Sequence, residues 1–194
     1  MATVKILVNG YAKKIKNGWR ASSTVCLIRS KGKKIITDPG CNRKKLLQAL
    51  DDENIKTSQI DYVFLSHRHP DHILLASLFE KAKYITFDQG LLYDKDNLNK
   101  FKNNILGDEI KIIKTPGHVN EHLSLIVNTE QGKIAIAGDA IWWPKGQIQK
   151  FNLRQMDYNQ AVDMDTKKLI NSRKKLLKQA DYIIPGHGKK FKVN

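Results

Sequence analysis

The sequence predicts an α/β fold in which two sheets pack against each other and helices cover their outer faces. Three observations support this prediction. The first third of the chain consists of strand patterns separated by turn signals, and later strand patterns alternate with helical ones. A length of 194 residues, 41% of them hydrophobic and 27% charged, suits a compact domain with its own core. We therefore expect residues 1–194 to form a single domain.

The first elements are predicted to form an antiparallel sheet. Met1–Gly10 places valine and isoleucine at every second position, which is typical of a strand. The β-branched runs Thr24–Arg29 and Lys34–Thr37 are separated by Lys-Gly-Lys and form a predicted hairpin. The Asp-Pro-Gly of residues 38–40 ends the second run as a tight turn. Leucines at helical spacing then predict a helix over Asn42–Asp52.

The rest of the chain mixes short strands with helices. Asp61–Leu65 is a compact apolar strand, and apolar residues return at helical spacing over Ile73–Lys81. The longest helix is predicted over residues 158–180, where an apolar stripe begins at Val162. Other short strands are predicted at Tyr84–Phe87, Glu109–Ile113, Leu123–Val127, Ile134–Ala137 and Tyr182–Ile184.

Composition indicates a cytoplasmic protein. No apolar run approaches the roughly 18–20 residues that a membrane span needs. The first ten residues lack the charged and continuous apolar segments of a signal peptide. Cys26 and Cys41 are too few for a disulfide scaffold and form no C-x-x-C pattern. We therefore expect no membrane partner.

The net charge has two explanations. Lysine and arginine number 34 against 19 acidic residues, and the resulting formal charge of +15 is typical of proteins that bind polyanions. However, the excess is almost entirely lysine, and the chain is also rich in isoleucine and asparagine, which share AT-rich codons with lysine. Genome composition therefore explains part of the charge. Basic runs such as residues 13–16 and 174–175 are ordinarily solvated surface.

Five of the six histidines fall where predicted strands end in turns. His67 and His69 are two residues apart, so their side chains leave an extended segment on the same side. Asp71 and His72 follow at once, at the start of a predicted helix. The other candidates each follow an apolar strand and a glycine, which lets the backbone turn sharply at the sheet edge. These are His118, Asp139 and His187.

Together these side chains supply seven nitrogen and oxygen donors, which suits two metal ions. Three imidazoles can hold one ion and leave an open position for water; they are His67, His69 and His118. The second ion is assigned to Asp71, His72 and His187, with Asp139 bridging both. The donor types suit two zinc ions, with iron or manganese as alternatives. Two such ions lower the pKa of a shared water toward about 7, which predicts hydrolysis by a bridging hydroxide.

The motif His-x-His-x-Asp-His at residues 67–72, followed in order by the three later donors, resembles the metallo-β-lactamase superfamily. The resemblance covers essentially the whole chain. It implies an αββα sandwich of two mixed sheets flanked by helices, with a two-metal site at one edge. It also implies that Asp38 orients a ligand histidine, while a plain turn residue fits the same spacing. Leu74 and Leu75 stand where family members usually carry a glycine pair.

Within the superfamily, the chain resembles a small single-domain branch. It stops seven residues after His187, which leaves no room for the glutathione-binding segment of glyoxalase II-type thioesterases. The segments around His118 and Asp139 are similar to a branch that includes a nuclease acting on histone pre-messenger RNA. Aspartate at position 139, where many antibiotic-degrading members carry cysteine or serine, resembles the thioester hydrolases and nucleases.

Four functions remain open. The favoured hypothesis is a dinuclear zinc-dependent ribonuclease in which Asp71 ligates a metal and orients the attacking hydroxide or takes its proton. The alternative is a hydrolase of β-lactams, thioesters or lactones, and an open site favours promiscuity. The third is an iron oxidoreductase, and the fourth is a binding module without catalysis. The expected partner is RNA or a small carbonyl substrate, and small members of this fold often form homodimers.

Three aromatic side chains near the predicted site are candidates for substrate contact. Trp142 and Trp143 closely follow Asp139, and each either walls a pocket, stacks on a base or packs into the core. His122 lies four residues after His118 and is either a proton donor, a substrate contact or the structural first residue of the next strand. The lysines after His187 are predicted to be a solvated terminus.

Overall fold

A computed structural model of the chain describes residues 1–87, 91–100, 104–155, 157 and 164–193. The strands of the first half are β1 Thr3–Val8, β2 Tyr11–Ile15, β3 Gly18–Ser22, β4 Val25–Ser30, β5 Lys33–Thr37, β6 Tyr62–Phe64, β7 Lys83–Ile85, β8 Leu91–Asp94 and β9 Asn97–Lys100. Those of the second half are β10 Ile110–Lys114, β11 Leu123–Thr129, β12 Gly132–Ile136, β13 Tyr182–Ile184 and β14 Phe191–Lys192. The helices are α1 Arg43–Asp52, α2 Pro70–Ile73 and α3 Thr166–Leu177, with 3₁₀ turns at Thr57–Gln59, Ala76–Leu78 and Gly138–Ala140.

The strands form two mixed sheets and a separate hairpin. The larger sheet has the order β1-β4-β5-β6-β7-β8-β9, and the smaller has the order β10-β11-β12-β13-β14. Strand β6 pairs in parallel with β5 and β7, and β12 pairs in parallel with β13; the other pairs are antiparallel. Strands β2 and β3 form the hairpin.

Three buried apolar layers establish the order helix, sheet, sheet, helix. The central layer joins the facing sides of the two sheets and includes Ile28, Phe64 and Leu125. Because successive strand side chains point to opposite faces, their neighbours Leu27, Val63 and Ile126 belong to the outer layers. Leu46 and Leu50 of α1 pack on the larger sheet, and Leu169 and Leu176 of α3 pack on the smaller one. The predicted αββα sandwich is confirmed.

The predicted helix over Ile73–Lys81 is wrong. Helix α2 ends at Ile73, and only the 3₁₀ turn Ala76–Leu78 follows it. The reason is competition for backbone groups. The carbonyls of Asp71 and His72 accept from the N–H groups of Ser23 and Gly40, at 2.9 and 3.0 Å, and the N–H of Leu75 donates to Gly40. These bonds fix residues 71–75 to the loops that flank β4 and β5, and they compete with continuation of the helix.

The structure also contains strands that the sequence pattern did not predict. The hairpin β2–β3 includes the basic run at residues 13–16, whose lysines hid its strand pattern. Lysines around β14 suggested a solvated terminus, yet Phe191 pairs with Ile183, and the N–H of Val193 donates to Asp181 at 2.9 Å. The pair β8–β9 at the far edge of the larger sheet was likewise unpredicted.

The helix predicted over residues 158–180 is shorter among the described residues. Helix α3 begins after Asp165, whose carboxylate accepts from the backbone N–H of Lys168 at 2.9 Å, and ends at Leu177. Residues 158–163, including Val162, lie outside the described residues. Within the described ranges, no helix is both long enough and apolar enough to cross a membrane.

Candidate metal centre

The seven predicted metal donors meet at one edge of the sandwich. Each lies in a segment that directly follows a strand: β6 for residues 67–72, β10 for His118, β12 for Asp139 and β13 for His187. Their donor atoms form two groups, and within each group all atoms lie within 4.8 Å of one another. The inner group is His67, His69, His118 and Asp139, and the outer group is Asp71, His72 and His187.

The inner group brings three imidazole nitrogens to a common point. Nδ1 of His69 lies 3.0 Å from Nε2 of His67 and 3.0 Å from Nε2 of His118. A neutral imidazole carries one N–H proton, so a single proton on His69 cannot satisfy both neighbours. The arrangement leaves lone pairs pointing at one another unless a cation lies between them.

The carboxylate of Asp139 faces both groups. One oxygen, Oδ1, lies 3.3 Å from Nε2 of His72, and the other, Oδ2, lies 3.5 Å from Nε2 of His187 and 3.6 Å from Nε2 of His118. Asp71 completes the outer group with its Oδ2 atom 3.3 Å from Nε2 of His187. Asp139 is buried, whereas Asp71 keeps 24% of its side chain exposed at the mouth of the site.

Hydrogen bonds on the far side of two rings fix their protons. The Ser66 hydroxyl donates to Oδ2 of Asp38 at 2.7 Å, so its oxygen accepts from Nδ1–H of His67 at 3.0 Å. The same carboxylate oxygen of Asp38 accepts from Nδ1–H of His72 at 3.0 Å. In its neutral form, each ring therefore turns an unprotonated Nε2 toward the centre. Asp38 has the contact that the sequence suggested for it.

The other two buried rings are held in the same way. Nδ1–H of His118 donates to Oδ2 of Asp157 at 2.6 Å, and Nδ1–H of His187 donates to the backbone carbonyl of Ser22 at 3.1 Å. When all four rings are neutral, four Nε2 lone pairs thus converge on the centre. Among the described residues, no hydrogen-bond partner is found for the buried Nε2 of His72 or for the buried Oδ1 of Asp139. Nitrogen and carboxylate donors of this kind fit zinc or iron cations.

Without metal, the electrostatics of the centre retain protons in its outer group. Burial by itself raises the pKa of Asp139, but His187 and His72 hold it well below its usual range. Burial by itself lowers the pKa of His187, but Asp139 and Asp71 raise it to about 9. The pKa of His72 is likewise raised well above its usual value by Asp139 and Asp38, against burial. Burial lowers the pKa of both His67 and His69.

We expect metal binding to release a proton from His187 near neutral pH. A ligand histidine must be neutral, and His187 is protonated below about pH 9 in the metal-free protein. Its raised pKa stabilises the metal-free fold fully below pH 6.5, and this contribution is lost as the pH rises through about 9. Titration calorimetry in buffers of different ionisation enthalpy measures the released proton. Zinc binding at pH 7 without proton release would contradict this prediction.

Trp142 forms a wall of the site. It is 3% exposed, and its ring centroid lies 5.6 Å from that of His187 and 5.8 Å from that of Trp19. Together with Ala12 and Ala21, the two tryptophans line a cavity of about 70 Å³ that reaches His69, Asp71, Asp139 and His187. A group bound at the metal donors therefore meets an indole wall.

Trp143 and His122 occupy different surroundings. Trp143 packs in the outer layer beneath α3, with its ring centroid 5.6 Å from that of Phe191. His122 is buried behind His67, and its Nδ1 lies 2.8 Å from the Thr115 hydroxyl. Burial lowers the pKa of His122 to about 3, so this ring is neutral. His122 belongs to neither donor group, and the substrate roles suggested for both residues stay predictions.

Asp157 and Trp19 contact the site but were not predicted from the sequence. Asp157 is buried and joins His118 to Nε1–H of Trp142, which donates to its Oδ1 atom at 3.2 Å. It follows no motif, and it lies just before the stretch that was interpreted as a helix. Trp19 lies on the unpredicted hairpin. The strand pattern of residues 11–22 was the feature of the sequence that could have predicted the position of Trp19.

We expect Asp157→Asn to weaken zinc binding by roughly 10–100-fold, as the loss of a residue that orients a metal ligand typically does. His118 and Trp142 donate to different oxygens of Asp157, and asparagine replaces one of these oxygens by an NH₂ group, which cannot accept. Competition with a chromophoric chelator measures the affinity, and tryptophan emission reports on Trp142. Asp165→Asn is the matched control, because asparagine caps a helix as well as aspartate does. Equal zinc affinity in the two variants would contradict the positioning role of Asp157.

Comparison with known proteins identifies relatives of the chain. Residues 18–86 match the family model of the Metallo-beta-lactamase superfamily. Metallo-beta-lactamase domain-containing protein 1 of Xenopus laevis is 28% identical over 199 residues, which cover 98% of this chain and 82% of the frog protein. The protein of the same name from Mus musculus is 32% identical over 167 residues, which cover 82% and 61%. The chain thus spans less than two thirds of the mouse relative.

More distant relatives and solved structures extend this comparison. Hydroxyacylglutathione hydrolase of Prochlorococcus marinus is 29% identical over 136 residues, covering 63% of this chain and 51% of that enzyme. A Thermotoga maritima protein assigned to the metallo-β-lactamases superposes with a TM-score of 0.72 at 23% identity, covering 98% and 99%. FIM-1 of Pseudomonas aeruginosa, solved in a mono-zinc form, superposes with a TM-score of 0.63 at 15% identity. The superposition covers 95% of this chain and 90% of FIM-1. A protein solved in a di-iron-bound form superposes with a TM-score of 0.62 at 19% identity. The superposition covers 88% of this chain and 90% of that protein.

Proposed function

Because the chain carries a metallo-β-lactamase superfamily domain, we propose that it is a two-zinc hydrolase that cleaves RNA phosphodiesters. The observation that carries the proposal is the convergence of four Nε2 lone pairs, one Nδ1 and two carboxylates on a single centre. When bound there, two divalent cations supply Lewis acidity and a nucleophile at neutral pH. The formal charge of +15 favours a polyanionic substrate over a neutral one.

The exposure and the contacts of individual residues support particular roles for them in the proposed reaction. Asp71 is the donor carboxylate that is partly exposed, which supports a role in orienting an entering water or accepting its proton. Asp139 is buried and holds the positive charge of the centre in place. Trp19 and Trp142 exclude water from one side of the cavity and offer an indole surface to a base.

Cleavage of a labelled single-stranded RNA tests this proposal. We expect Asp71→Asn to lower the cleavage rate by at least about 100-fold, because an amide oxygen cannot take a proton and binds cations weakly. Asp51→Asn, at an exposed position of α1, is the matched control and is purified in parallel. A contaminating ribonuclease would give the same cleavage rate in the wild type, Asp71→Asn and Asp51→Asn, and that result would refute the proposal.

A second candidate substrate is a thioester. Its support is the similarity to a hydroxyacylglutathione hydrolase, together with an open cavity that has little with which to reject a carbonyl compound. Hydrolysis of a glutathione thioester and of a chromogenic β-lactam by the same three proteins separates the candidates. Rapid thioester hydrolysis that Asp71→Asn abolishes, with no RNA cleavage, would establish this second function instead.

A further inference from the structure

The β2–β3 hairpin separates the metal centre from a basic groove on the opposite face of the hairpin. Ala12, Trp19 and Ala21 line the small cavity at the donors. Their neighbours in the strands point to the opposite face and line a groove of about 620 Å³. This first groove is formed by residues 9–11, Lys13, Arg20, Asn42, Lys45, residues 143–147, Gln149, Gly188 and Lys189.

A second groove continues from the first. The two share Gln149, and the second also has a volume of about 620 Å³. It is lined by Gln149, Lys150, Phe151, Leu177, Lys178, Phe191, Lys192 and Val193. The rings of Phe151 and Phe191 stack with centroids 5.8 Å apart and an interplanar angle of 23°. The two grooves together are called the basic track below.

The charged side chains found to line the basic track are all positively charged. Its charged lining residues are Lys13, Arg20, Lys45, Lys145, Lys150, Lys178, Lys189 and Lys192, and none of the described residues that line either groove is a carboxylate. Because basic residues outnumber acidic ones 34 to 19 in the chain, eight charged residues drawn at random would include about three acids. All eight side chains are exposed, and none takes part in the ion pairs found in the described part of the chain.

Backbone bonds hold the walls of the track together. The N–H of Lys145 donates to the carbonyl of Ala12 at 2.7 Å, and the N–H of Gly188 donates to that of Gly10 at 3.2 Å. The Gln149 side chain makes two bonds to the backbone of Lys189, at 2.8 and 3.0 Å. The groove therefore exists before any ligand binds, which reduces the ordering cost of binding.

Three segments connect the track to the metal centre. The hairpin contributes Ala12 to the donor cavity and Lys13 to the track. In the other two segments, Trp142 and His187 line the donor cavity, whereas Trp143, Gly188 and Lys189 line the track. We propose that the basic track binds the phosphodiester backbone of single-stranded RNA that flanks the segment at the metal centre. Its lysines neutralise phosphates, and its stacked phenylalanines offer a surface to a base. The identity of this polyanion rests on the proposed function.

Binding of a fluorescein-labelled single-stranded RNA 20-mer to zinc-loaded protein tests the proposal. The measurement uses an Asp71→Asn background to prevent cleavage, and anisotropy is followed across a salt series. The track variant carries Lys13→Gln, Lys145→Gln and Lys189→Gln. The control carries Lys114→Gln, Lys167→Gln and Lys174→Gln, three exposed lysines outside the track. Both triple variants therefore have the same net charge.

We expect the track variant to bind RNA at least about tenfold more weakly than the parent at 100 mM salt. Its slope of log affinity against log salt should be shallower by about 2, because each phosphate contact on a single strand contributes about 0.7. The control variant should change affinity less than twofold. Equal loss in the two variants, or no RNA binding by the parent, would overturn the proposal.

A separate measurement distinguishes this proposal from the proposed function. In the Asp71→Asn background, the track variant must keep the zinc content of the protein that carries Asp71→Asn alone. With Asp71 restored, it must hydrolyse bis(p-nitrophenyl) phosphate at the parent rate, because this substrate is too small to reach the track. RNA that binds in the track but is never cleaved would refute the ribonuclease and leave the track as a binding site. A track variant that loses zinc would refute the assignment of these lysines to RNA binding.

Discussion

Asp139→Asn is expected to remove most bound metal and with it the hydrolytic activity. The carboxylate faces Nε2 of His72 with one oxygen, and Nε2 of His118 and His187 with the other. Asparagine keeps the shape but loses the negative charge, and one side of its amide is a donor that faces a cation. The loss in zinc affinity should exceed the roughly 10–100-fold caused by changing a residue that only orients a ligand.

Metal analysis after dialysis, together with a zinc-dependent thermal shift, measures this effect. Asp51→Asn again serves as the control, since it changes the same chemical group on an exposed helix face. A folded Asp139→Asn protein that retains two metals per chain would show that the carboxylate is not a ligand. Loss of metal should also remove the stabilisation that bound zinc gives to the native state.

Gly186→Ala is expected to disable the centre without changing any donor. A Cβ atom at this position would collide with Oδ1 of Asp139 and approach the backbone of Gly138. The collision cannot be relieved by moving the loop, because the carbonyl of Gly186 accepts from the N–H of Thr24 at 2.7 Å and from its hydroxyl at 2.9 Å. Overpacking of this kind costs about 1–3 kcal/mol, and the displaced carboxylate leaves both donor groups incomplete.

Thermal unfolding and metal content separate the two consequences. A cost of 1–3 kcal/mol lowers the melting temperature of a domain of this size by several degrees. Gly32→Ala is the comparison, because Gly32 has a φ of +77° and open space around it. That variant should lose stability through backbone strain alone and keep its full metal content. Normal metal content in Gly186→Ala would mean that Asp139 moves aside at no cost.

The sequence predicted the central parts of the molecule well, because two strong patterns act there. Continuous apolar runs specify the buried strands β4, β5 and β6, and turn residues end the runs of β4 and β5. The histidines and aspartates stand at strand ends, where the fold of the sheet brings them to one edge. All seven predicted donors lie in the two groups of potential metal ligands found among the described residues.

The elements that escaped prediction lack such patterns. Strand β2 contains two lysines and has only Ala12 buried, so it did not resemble a half-buried strand. Asp157 acts through contacts to His118 and Trp142 that lie 39 and 15 residues away along the chain. No local spacing specifies such contacts. The early end of α2 likewise depends on backbone bonds to Ser23 and Gly40, which are formed only in the folded molecule.

The bond between His187 and the carbonyl of Ser22 joins residues 165 positions apart, and this separation affects the order in which the centre is assembled during synthesis. Contacts that distant in sequence form late, because a long loop must close first. The inner donors are complete once Asp139 has been made, whereas the outer donors wait for His187. The outer group is therefore the last of the two donor groups to be completed as the chain is made.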